Sequence, residues 1–341
     1  MLRYLTLPAF ILAAACASAP VETVTVPTLE KLWVADGFQG PEGAALAPDG
    51  SYFISNVFGD SSAKDGNGYI AKLSTGGVIV ERYWSSKFDA PKGMAVLDGT
   101  LYVTDIDRVV MVDAETGSRE GQIRIEGARF LNDATVWNGK VYVSDSGTAT
   151  IHVVEGDSTS VWMKDDVLTG VNGLLGDDER MLVSTMTAGD LLSVDAYGNA
   201  TPIATGMEDG DGVGLVPGGG YLVSSWPGQI HYAGDGGTVT TLLDTTSDET
   251  PLTQNDLTVF GDVVIVPNLR AQCSVADLPA GLEYRSDRPG GLFGRDLRNC
   301  LVLVRIKRSA GRSVDRLDAV TPKCGFQFLG GHLDTTQQIV A

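Results

Sequence analysis

The chain has 341 residues, of which 42 are glycine and 43% are hydrophobic. This length and composition provide a large buried core and fit an all-β repeat protein with many tight turns. The formal charge of −18, from 43 Asp and Glu against 25 Lys and Arg, disfavours binding to nucleic acid or to an anionic membrane surface. A cation or a neutral small molecule fits this charge better.

The first segment, residues 1–19, has the layout of a bacterial secretory signal. An early arginine, Arg3, is followed by an apolar stretch and then by small residues. Leu12 to Cys16 resembles a lipobox, in which Cys16 becomes the lipidated first residue, whereas Ala17 to Ala19 offers an ordinary cleavage site. Both alternatives predict an exported protein, either periplasmic or lipid-anchored to the bacterial envelope. No other apolar run approaches the roughly 20 residues of a membrane-spanning helix.

Six similar motifs recur about forty residues apart over residues 24–270. Each opens an apolar strand-turn-strand run, as in the third unit, where Asn138-Gly139 is a hairpin-turn pair. The residues at the aligned position are Glu42, Lys92, Asn132, Asn172, Asp211 and Asn255. A repeat of this period is typical of a propeller, whose innermost strands line a central channel. The sequence therefore predicts an all-β six-bladed propeller with these six ring residues around its axis.

The other strands of each unit predict how the blades are completed. The second strand runs antiparallel to the first, so its end returns to the face of the ring. These strand ends, which predict a second polar circle, are Asn56, Asp105, Asp145, Thr185, Ser225 and Asn268. Residues 24–36 are predicted to add an outer strand to the last blade, which protects the sheet edge. A Gly/Asp/Ser-rich insertion at residues 59–68 is predicted to be a surface loop.

The C-terminal segment, residues 271–341, does not continue the repeat. It is basic, whereas the rest of the chain is strongly acidic. Cys300 to Ile306 is either the third strand of the sixth unit after a long insertion or part of an aberrant or disordered terminus, and the change in composition favours the second alternative. Cys273, Cys300 and Cys324 suit no zinc site, and the sequence assigns them no chemistry.

The ring residues are rich in hard oxygen donors, which Ca²⁺ takes in sets of about six to eight. Glu42 and Asp211 balance the charge of a divalent cation, while Asn132 and Asn172 add amide oxygens without further negative repulsion. Because Asn and Asp before glycine also form turns, the alternative is a ring filled by hydrogen bonds or water. Lys92 opposes metal binding unless it turns outward or pairs with a neighbouring carboxylate.

Four of the motifs resemble those of the regucalcin/gluconolactonase family, which includes calcium-dependent lactonases and is similar to diisopropylfluorophosphatase. Over about residues 30–270 the motifs are Pro41-Glu42-Gly43, Arg129 to Asp133, Gly170 to Gly173 and Asp211-Gly212. The resemblance implies a six-bladed propeller with one catalytic divalent cation on the axis, held by Glu42, Asn132, Asn172 and Asp211. Ca²⁺ is the expected ion, with Zn²⁺ and Mn²⁺ as alternatives.

The resemblance also implies a hydrolase that acts on a lactone or related ester of a small molecule. A bound cation would polarise the carbonyl and stabilise the charge that develops on its oxygen. Asp211 is the base or nucleophile that the resemblance implies. Because ligation lowers the pKa of a carboxylate, Asp133 and Asp256 are kept as alternatives for this role.

Three residues are predicted to contact the substrate: Arg129, Lys92 and Asn255. Arg129 compares with an arginine of the family's sugar-lactone members, although an extra residue separates it from Asn132. The rival function is a non-catalytic exported binding propeller with a structural metal, and a lyase or phosphotriesterase-like enzyme is a third candidate. The predicted partner is a small molecule, and a membrane is contacted only through an N-terminal lipid anchor.

Overall fold

A computed structural model describes residues 25–226, 228–234, 236–248, 253–272 and 298–308 of the chain. These residues form six four-stranded antiparallel sheets. Apart from a short 3-10 helical turn at Asp166–Leu168, their regular structure is all strand. Within this described part, no helix is long and apolar enough to cross a membrane. The all-β six-bladed propeller predicted from the repeats is confirmed.

The first three blades follow the chain in order, each from its innermost strand outward. Strand β1 (Thr28–Ala35) precedes them and belongs to the last blade. Blade 1 contains β2 (Pro41–Leu46), β3 (Tyr52–Asn56), β4 (Gly68–Leu73) and β5 (Ile79–Phe88). Blade 2 contains β6 (Pro91–Leu97), β7 (Thr100–Asp105), β8 (Arg108–Asp113) and β9 (Arg119–Arg124). Blade 3 contains β10 (Leu131–Trp137), β11 (Lys140–Asp145), β12 (Thr150–Glu155) and β13 (Ser158–Lys164).

The next two blades repeat this order, and the sixth departs from it. Blade 4 contains β14 (Val171–Gly176), β15 (Met181–Thr185), β16 (Leu191–Val194) and β17 (Ala200–Ala204). Blade 5 contains β18 (Gly210–Leu215), β19 (Tyr221–Ser225), β20 (Gln229–Ala233) and β21 (Val239–Asp244). Blade 6 contains β22 (Thr258–Phe260), β23 (Val263–Gln272), β24 (Arg298–Lys307) and, as its outermost strand, β1.

Blade 6 is closed by strands from both ends of the described chain. Its third strand, β24, pairs with β23 on one side and with β1 on the other, from Thr28 opposite Lys307 to Ala35 opposite Leu301. The outer strand predicted near the N-terminus is therefore confirmed. Cys300 to Ile306 lies in β24, so the interpretation of this stretch as an aberrant or disordered terminus is wrong. A strand-forming apolar run outweighs the change in composition around it, because pairing on both sides buries it.

Several predictions concern residues that lie outside the described ones. The signal segment at residues 1–19 is among them, with the lipidation candidate Cys16, and so are Cys273 and Cys324 of the C-terminal segment. Cys300 is described: it is fully buried in β24 and disulfide-bonded. This cysteine therefore has a structural role, as its apolar surroundings suggest.

The hydrophobic core lies between neighbouring blades rather than within one sheet. Successive side chains of a strand face opposite sides, so each sheet packs both of its faces against other blades. In β12, Ile151 packs in the cluster that includes Leu174 of blade 4, whereas Val154 packs in the cluster that includes Val109 of blade 2. The inner strands also follow one another around the axis, from β2 through β22 and back to β2. This closed packing fixes where the ring residues stand.

Candidate functional site

The ring residues of blades 1 to 5 lie at a bulge in each innermost strand. In β10 the pairing with β11 shifts register between Leu131 and Ala134, so that Asn132 and Asp133 fall within the shift. The same shift occurs in the other four blades and covers Glu42, Lys92, Asn172 and Asp211. Such bulges bend the strand and re-aim its side chains. The repeated motif therefore encodes a backbone irregularity as well as a side chain.

A hydroxyl group on the second strand holds each of these bulges. In blade 3, Ser144 Oγ accepts a hydrogen bond from the Asp133 amide at 2.9 Å and donates to the Asn172 carbonyl oxygen of blade 4 at 2.8 Å. The corresponding hydroxyls are Ser55, Thr104, Ser184 and Ser224. Those of Thr104 and Ser184 also reach the ring residue of the next blade. The innermost strands of blades 2 to 5 are thus tied to one another at the level of the ring.

Glycine follows the ring residue in four blades because the next innermost strand lies very close. A Cβ atom on Gly93 would lie 2.3 Å from Asp133 Oδ1, and one on Gly212 would lie 2.3 Å from Asp256 Oδ1. Asp133 and Asp256 occupy, in blades 3 and 6, the position that glycine occupies in the other blades. The glycines therefore make room for two carboxylates just below the ring.

Four carboxyl groups interact electrostatically across the channel. Burial is the main reason why the pKa of Glu42 and that of Asp256 are raised; repulsion from Asp211 and Asp133 adds to the shift of Glu42, and repulsion from all three adds to that of Asp256. Glu42, Asp133 and Asp211 belong to blades 1, 3 and 5, which are not neighbours in the propeller. Their side chains can therefore interact only across the central channel. This convergence supports the predicted position of the ring on the axis.

Loss of hydration is the main reason why these carboxyl groups resist ionisation. Burial raises the pKa of Asp211 to about 8, and the carboxylates of Asp133 and Asp209 add to the shift. Burial raises the pKa of Asp133 to about 7, although it accepts hydrogen bonds from the backbone amides of Leu174 and Ala134. The same effect raises the pKa of Glu42 and Asp256 well above the usual range. A site of this kind favours a positive charge at its centre.

The predicted ligand side chains are free of competing protein contacts. Within the described residues, no hydrogen bond involves the side chains of Glu42, Asn172 or Asp211. The Asn132 amide nitrogen donates to Ser146 Oγ at 3.2 Å, so the other end of this amide, Oδ1, is left for the channel. Two carboxylates and two amide oxygens that lack protein donors are a donor set suited to a hard divalent cation. The residues therefore fit the ion that the sequence predicts.

The metal site itself stays a prediction. The described residues contain no group of three or more His, Cys, Asp or Glu side chains arranged to hold a metal ion. Glu42, Asp133, Asp211 and Asp256 interact electrostatically without forming such a group, so the predicted site also depends on the amide oxygens of Asn132 and Asn172. The choice of Ca²⁺ over other divalent cations is likewise a prediction.

Lys92 is buried and, within the described residues, forms no ion pair with a carboxylate. Its side chain is 2% exposed, and Nζ donates to the carbonyl oxygens of Ser61 and Ala90, each at 3.1 Å. The ammonium also lies 4.3 Å from the ring centroid of Phe130. Burial lowers the pKa of Lys92, while the negative charge of Glu42 opposes that shift. These partners hold the Lys92 ammonium group at the edge of the ring.

The other two predicted substrate contacts are placed differently from each other. Arg129 is exposed and lies in the loop before β10, where its backbone amide donates to Asp145 Oδ2 at 3.1 Å. No contact of its guanidinium group is present within the described residues. Asn255 is buried in the ring, where its amide nitrogen donates to the Pro41 carbonyl oxygen at 3.3 Å. Arg129 is therefore on the surface, in the segment that leads into β10, whereas Asn255 is in the interior.

The second polar circle supports backbone rather than facing the channel. All six of its side chains are buried. In blade 3 the Asp145 carboxylate accepts hydrogen bonds from the backbone amides of Arg129 and Phe130, at 3.1 and 2.9 Å. In blade 2 the Asp105 carboxylate accepts hydrogen bonds from the backbone amides of Asp89 and Ala90. These side chains fix the segments that lead into the innermost strands, so their contribution to the site is indirect.

Below the carboxylates the channel widens into an apolar cavity of about 270 Å³. Asp133 and Asp256 lie at its polar end, and the wall includes Met94, Leu174 and Leu257. The channel therefore has a charged level at the ring and an apolar level beneath it.

Comparison with known proteins identifies the fold. No protein-family model matches the chain, and no curated protein matches it in sequence. A gluconolactonase from Xanthomonas campestris superposes with a TM-score of 0.56 at 15% identity, over 82% of this chain and 89% of that one. An inactive variant of virginiamycin B lyase from Staphylococcus aureus, bound to quinupristin, superposes with a TM-score of 0.53 at 12% identity, over 82% of this chain and 99% of that one. A PQQ-bound aldose sugar dehydrogenase from Streptomyces coelicolor superposes with a TM-score of 0.54 at 14% identity, over 83% of this chain and 99% of that one.

At these identities the similarity shows a shared propeller fold. A gluconolactonase, a lyase and a dehydrogenase all use it, so the fold does not select a reaction. The reaction must be argued from the side chains in the channel.

Proposed function

We propose that this protein is a divalent-cation-dependent hydrolase that opens a lactone, or cleaves a related ester, of a small molecule. Ca²⁺ is the proposed ion, with Zn²⁺ and Mn²⁺ as alternatives. The observation that carries the proposal is the convergence of carboxyl groups from non-adjacent blades beside amide oxygens that lack protein donors. The gluconolactonase among the structural neighbours shows that this fold is compatible with such a reaction.

In this proposal Glu42, Asn132, Asn172 and Asp211 would hold the ion. Once bound, it would polarise the substrate carbonyl and stabilise the negative charge that develops on its oxygen. The bulges and the hydroxyls behind them keep these four side chains in place before substrate arrives, which is the preorganisation that catalysis needs.

The chain offers three carboxyl groups for proton transfer or nucleophilic attack. Asp133 is the least suited, because its two oxygens accept hydrogen bonds from the amides of Ala134 and Leu174, both at 2.7 Å. Asp256 accepts a hydrogen bond from the Leu257 backbone amide and one from Thr258 Oγ1 at 3.5 Å, and burial raises its pKa well above the usual range, which makes its carboxylate a stronger base. Asp211 has free oxygens and serves either as ligand or as nucleophile.

Arg129 is the proposed substrate contact at the mouth. An exposed guanidinium group beside the channel can bind a hydroxyl or carboxylate of the substrate through its planar set of N–H donors. The proposal also keeps the exported location, periplasmic or lipid-anchored through Cys16, which depends on residues 1–19 alone. Fractionation of cells that produce the full chain, with Cys16→Ala beside it, would distinguish the two locations.

The first experiment is a calorimetric titration with Ca²⁺ of chelator-treated protein that lacks the signal segment. We expect one site in the unaltered protein, and a loss of affinity in Glu42→Gln and Asp211→Asn. Asp157→Asn, which removes an exposed carboxylate of blade 3, is the matched control and should bind as the unaltered protein does. Unchanged affinity in Glu42→Gln would contradict the ligand assignment.

The same four proteins then separate the candidate reactions. A panel of lactones, aryl esters and phosphotriesters, assayed with and without chelator, should give cation-dependent hydrolysis of a lactone or ester by the unaltered protein and by Asp157→Asn. Binding of the cation without turnover of any compound would instead favour a recognition propeller with a structural metal. Activity that survives the chelator would exclude the proposed mechanism.

A further inference from the structure

Asn255 stands between the two predicted carboxylate ligands. On one side, the innermost segment of blade 6 lies against blade 5, where a Cβ atom on Gly212 would come within 2.1 Å of the Leu257 amide nitrogen. On the other side, the Asn255 amide nitrogen donates to the carbonyl oxygen of Pro41, the residue that precedes Glu42. Asp211 precedes Gly212 in the chain. The Asn255 side chain therefore lies between the blades that carry Asp211 and Glu42.

The Asn255 amide is fixed at one end and unsatisfied at the other. Its backbone amide donates to the Pro267 carbonyl oxygen at 3.1 Å, and its side-chain nitrogen is used by Pro41. Its Oδ1 atom is buried and has no hydrogen-bond partner, in a residue that is 2% exposed. An unpaired buried acceptor destabilises the folded protein unless a ligand satisfies it. An unpaired acceptor between the blades that carry Glu42 and Asp211 is available to a positively charged partner.

We propose that Asn255 Oδ1 is a fifth protein ligand of the axial cation, rather than a substrate contact. This inference rests on the proposed function. Five of the six blades then each contribute one oxygen at the ring position, and blade 2, which contributes Lys92, is the exception. The Lys92 ammonium is held by Ser61, Ala90 and the Phe130 ring, so the positive charge stays on the blade 2 side. Five protein oxygens with one or more waters reach the coordination number of Ca²⁺ and exceed what Mg²⁺ usually takes from protein.

Asn268 supplies a comparison within the same blade. Its Oδ1 is also buried without a partner, and its amide nitrogen donates to Val266 and, at 3.4 Å, to Cys300. Asn268 belongs to the second polar circle. In blade 1 the corresponding residue, Asn56, accepts a hydrogen bond at Oδ1 from the backbone amide of Gln39 at 3.0 Å. The equivalent connection before β22 includes residues outside the described ones, so nothing follows from the unpaired oxygen of Asn268. Its position makes it a matched control for the loss of a buried asparagine from blade 6.

The test compares two variants of Asn255, one expected to weaken Ca²⁺ binding and one expected to strengthen it. Asn255→Leu removes the oxygen and should weaken Ca²⁺ binding by roughly tenfold or more, as measured by calorimetry at pH 8 on chelator-treated protein. Asn255→Asp keeps an oxygen donor and adds a negative charge, but loses the hydrogen bond to Pro41, and it should bind Ca²⁺ more tightly. Asn268→Leu should lower the melting temperature without changing the Ca²⁺ affinity. Circular dichroism on each variant checks that the propeller is folded.

The outcomes separate this inference from the proposed function. If the unaltered protein binds no Ca²⁺, the proposed function fails and Asn255 has no ion to bind. If the unaltered protein binds Ca²⁺ and Asn255→Leu binds it equally well, only the fifth ligand is excluded. If both Asn255 variants keep the Ca²⁺ affinity and only raise KM, the residue is a substrate contact. A loss of affinity in Asn268→Leu equal to that in Asn255→Leu would reduce the effect to general destabilisation of blade 6 and overturn the assignment.

Discussion

Hydroxyl side chains one residue before the strand ends decide how the ring is built. Each holds a bulge in its own blade. The hydroxyls of Thr104, Ser144 and Ser184 also donate a hydrogen bond to a backbone carbonyl oxygen of the next blade. A ring assembled from single residues on separate sheets needs such ties, because a small shift of one sheet would move its oxygen away from the axis. The polar groups they satisfy are buried backbone amides and carbonyls, which are costly to leave unpaired.

Ser144→Ala should destabilise the protein at this level. The change leaves the Asp133 amide and the Asn172 carbonyl without their shared partner, and we expect the free energy of unfolding to fall by about 1–3 kcal/mol. Denaturant titration measures this. Ser158→Ala, in which an exposed hydroxyl bonded to Glu155 is lost, should have little effect. Equal effects of the two changes would show that the bridging hydroxyl has no special role.

The buried carboxyl groups predict how stability depends on pH in protein freed of divalent ions. Asp211 and Asp133 keep their protons up to pKa values of about 8 and about 7, whereas unfolded aspartate loses its proton near a pKa of 3.8. The folded state therefore binds more protons between these values, and its stability falls as the pH rises from about 4 to about 8. We expect the melting temperature of chelator-treated protein to decrease across this window, and Asp211→Asn to reduce the decrease.

Excess Ca²⁺ should act in the opposite direction. The ion binds the ionised carboxylates, so the increase in melting temperature that it causes should grow as the pH rises. A melting temperature that rises with pH in the presence of chelator, in both the unaltered protein and Asp211→Asn, would contradict the burial of these groups.

At the scale of elements, Lys92 connects the ring to the loop between β3 and β4, residues 57–67. Its ammonium holds the Ser61 carbonyl oxygen, and two further contacts attach the loop to blade 2: Lys64 with Asp107 at 2.7 Å and the Gly66 amide with Asp89 at 3.1 Å. The insertion predicted as a surface loop is therefore anchored over the neighbouring blade. Exposed ion pairs alone contribute little, so the buried ammonium is the stronger of these attachments.

Lys92→Met should release this loop and tighten the cation site at the same time. The loop loses its buried attachment, so we expect faster trypsin cleavage after Lys64. The ring loses a positive charge near Glu42, so we expect stronger Ca²⁺ binding. Lys72→Met, which removes an ion pair with Asp49 on the same blade, is the control and should change neither. Slower cleavage, or weaker Ca²⁺ binding in a folded Lys92→Met protein, would contradict this role.

The sequence predicts those parts of the site that depend on the repeat, and misses those that depend on contacts between distant loops. The ring position is visible because it recurs at each blade, and the same alignment contains the hydroxyls, one residue before the predicted strand ends of blades 1 to 5, as an unused signal. The partners of Lys92 are not visible, because Ser61 lies in an insertion that no other unit has and Phe130 precedes the innermost strand of the next blade. The strand β24 was obscured for a similar reason, since a long insertion separates it from β23.

At the scale of the whole molecule, the ring exists only if the propeller is closed. Blade 6 brings Asn255 and Asp256 to the channel, and it is assembled from β1 at one end of the described chain and β24 near the other. The contact between Asn255 and Pro41 also joins blade 6 to blade 1 at the ring itself. We therefore expect the closure of the fold and the formation of the site to be coupled. A substitution in β24, far from the axis, should then weaken binding of the cation.

Leu303→Asp tests this coupling. Leu303 is buried in β24 and pairs with Trp33 of β1 and Ile265 of β23, so an aspartate there places an unpaired charge between both partners. We expect a loss of stability of several kcal/mol, about 3 or more, together with weaker Ca²⁺ binding, measured by denaturant titration and calorimetry. Arg305→Gln, an exposed change in the same strand, should leave both unchanged. If Leu303→Asp weakened the fold while the remaining folded protein bound Ca²⁺ with full affinity, closure of blade 6 would be separable from the site, and the ring would owe its geometry to blades 1 to 5 alone.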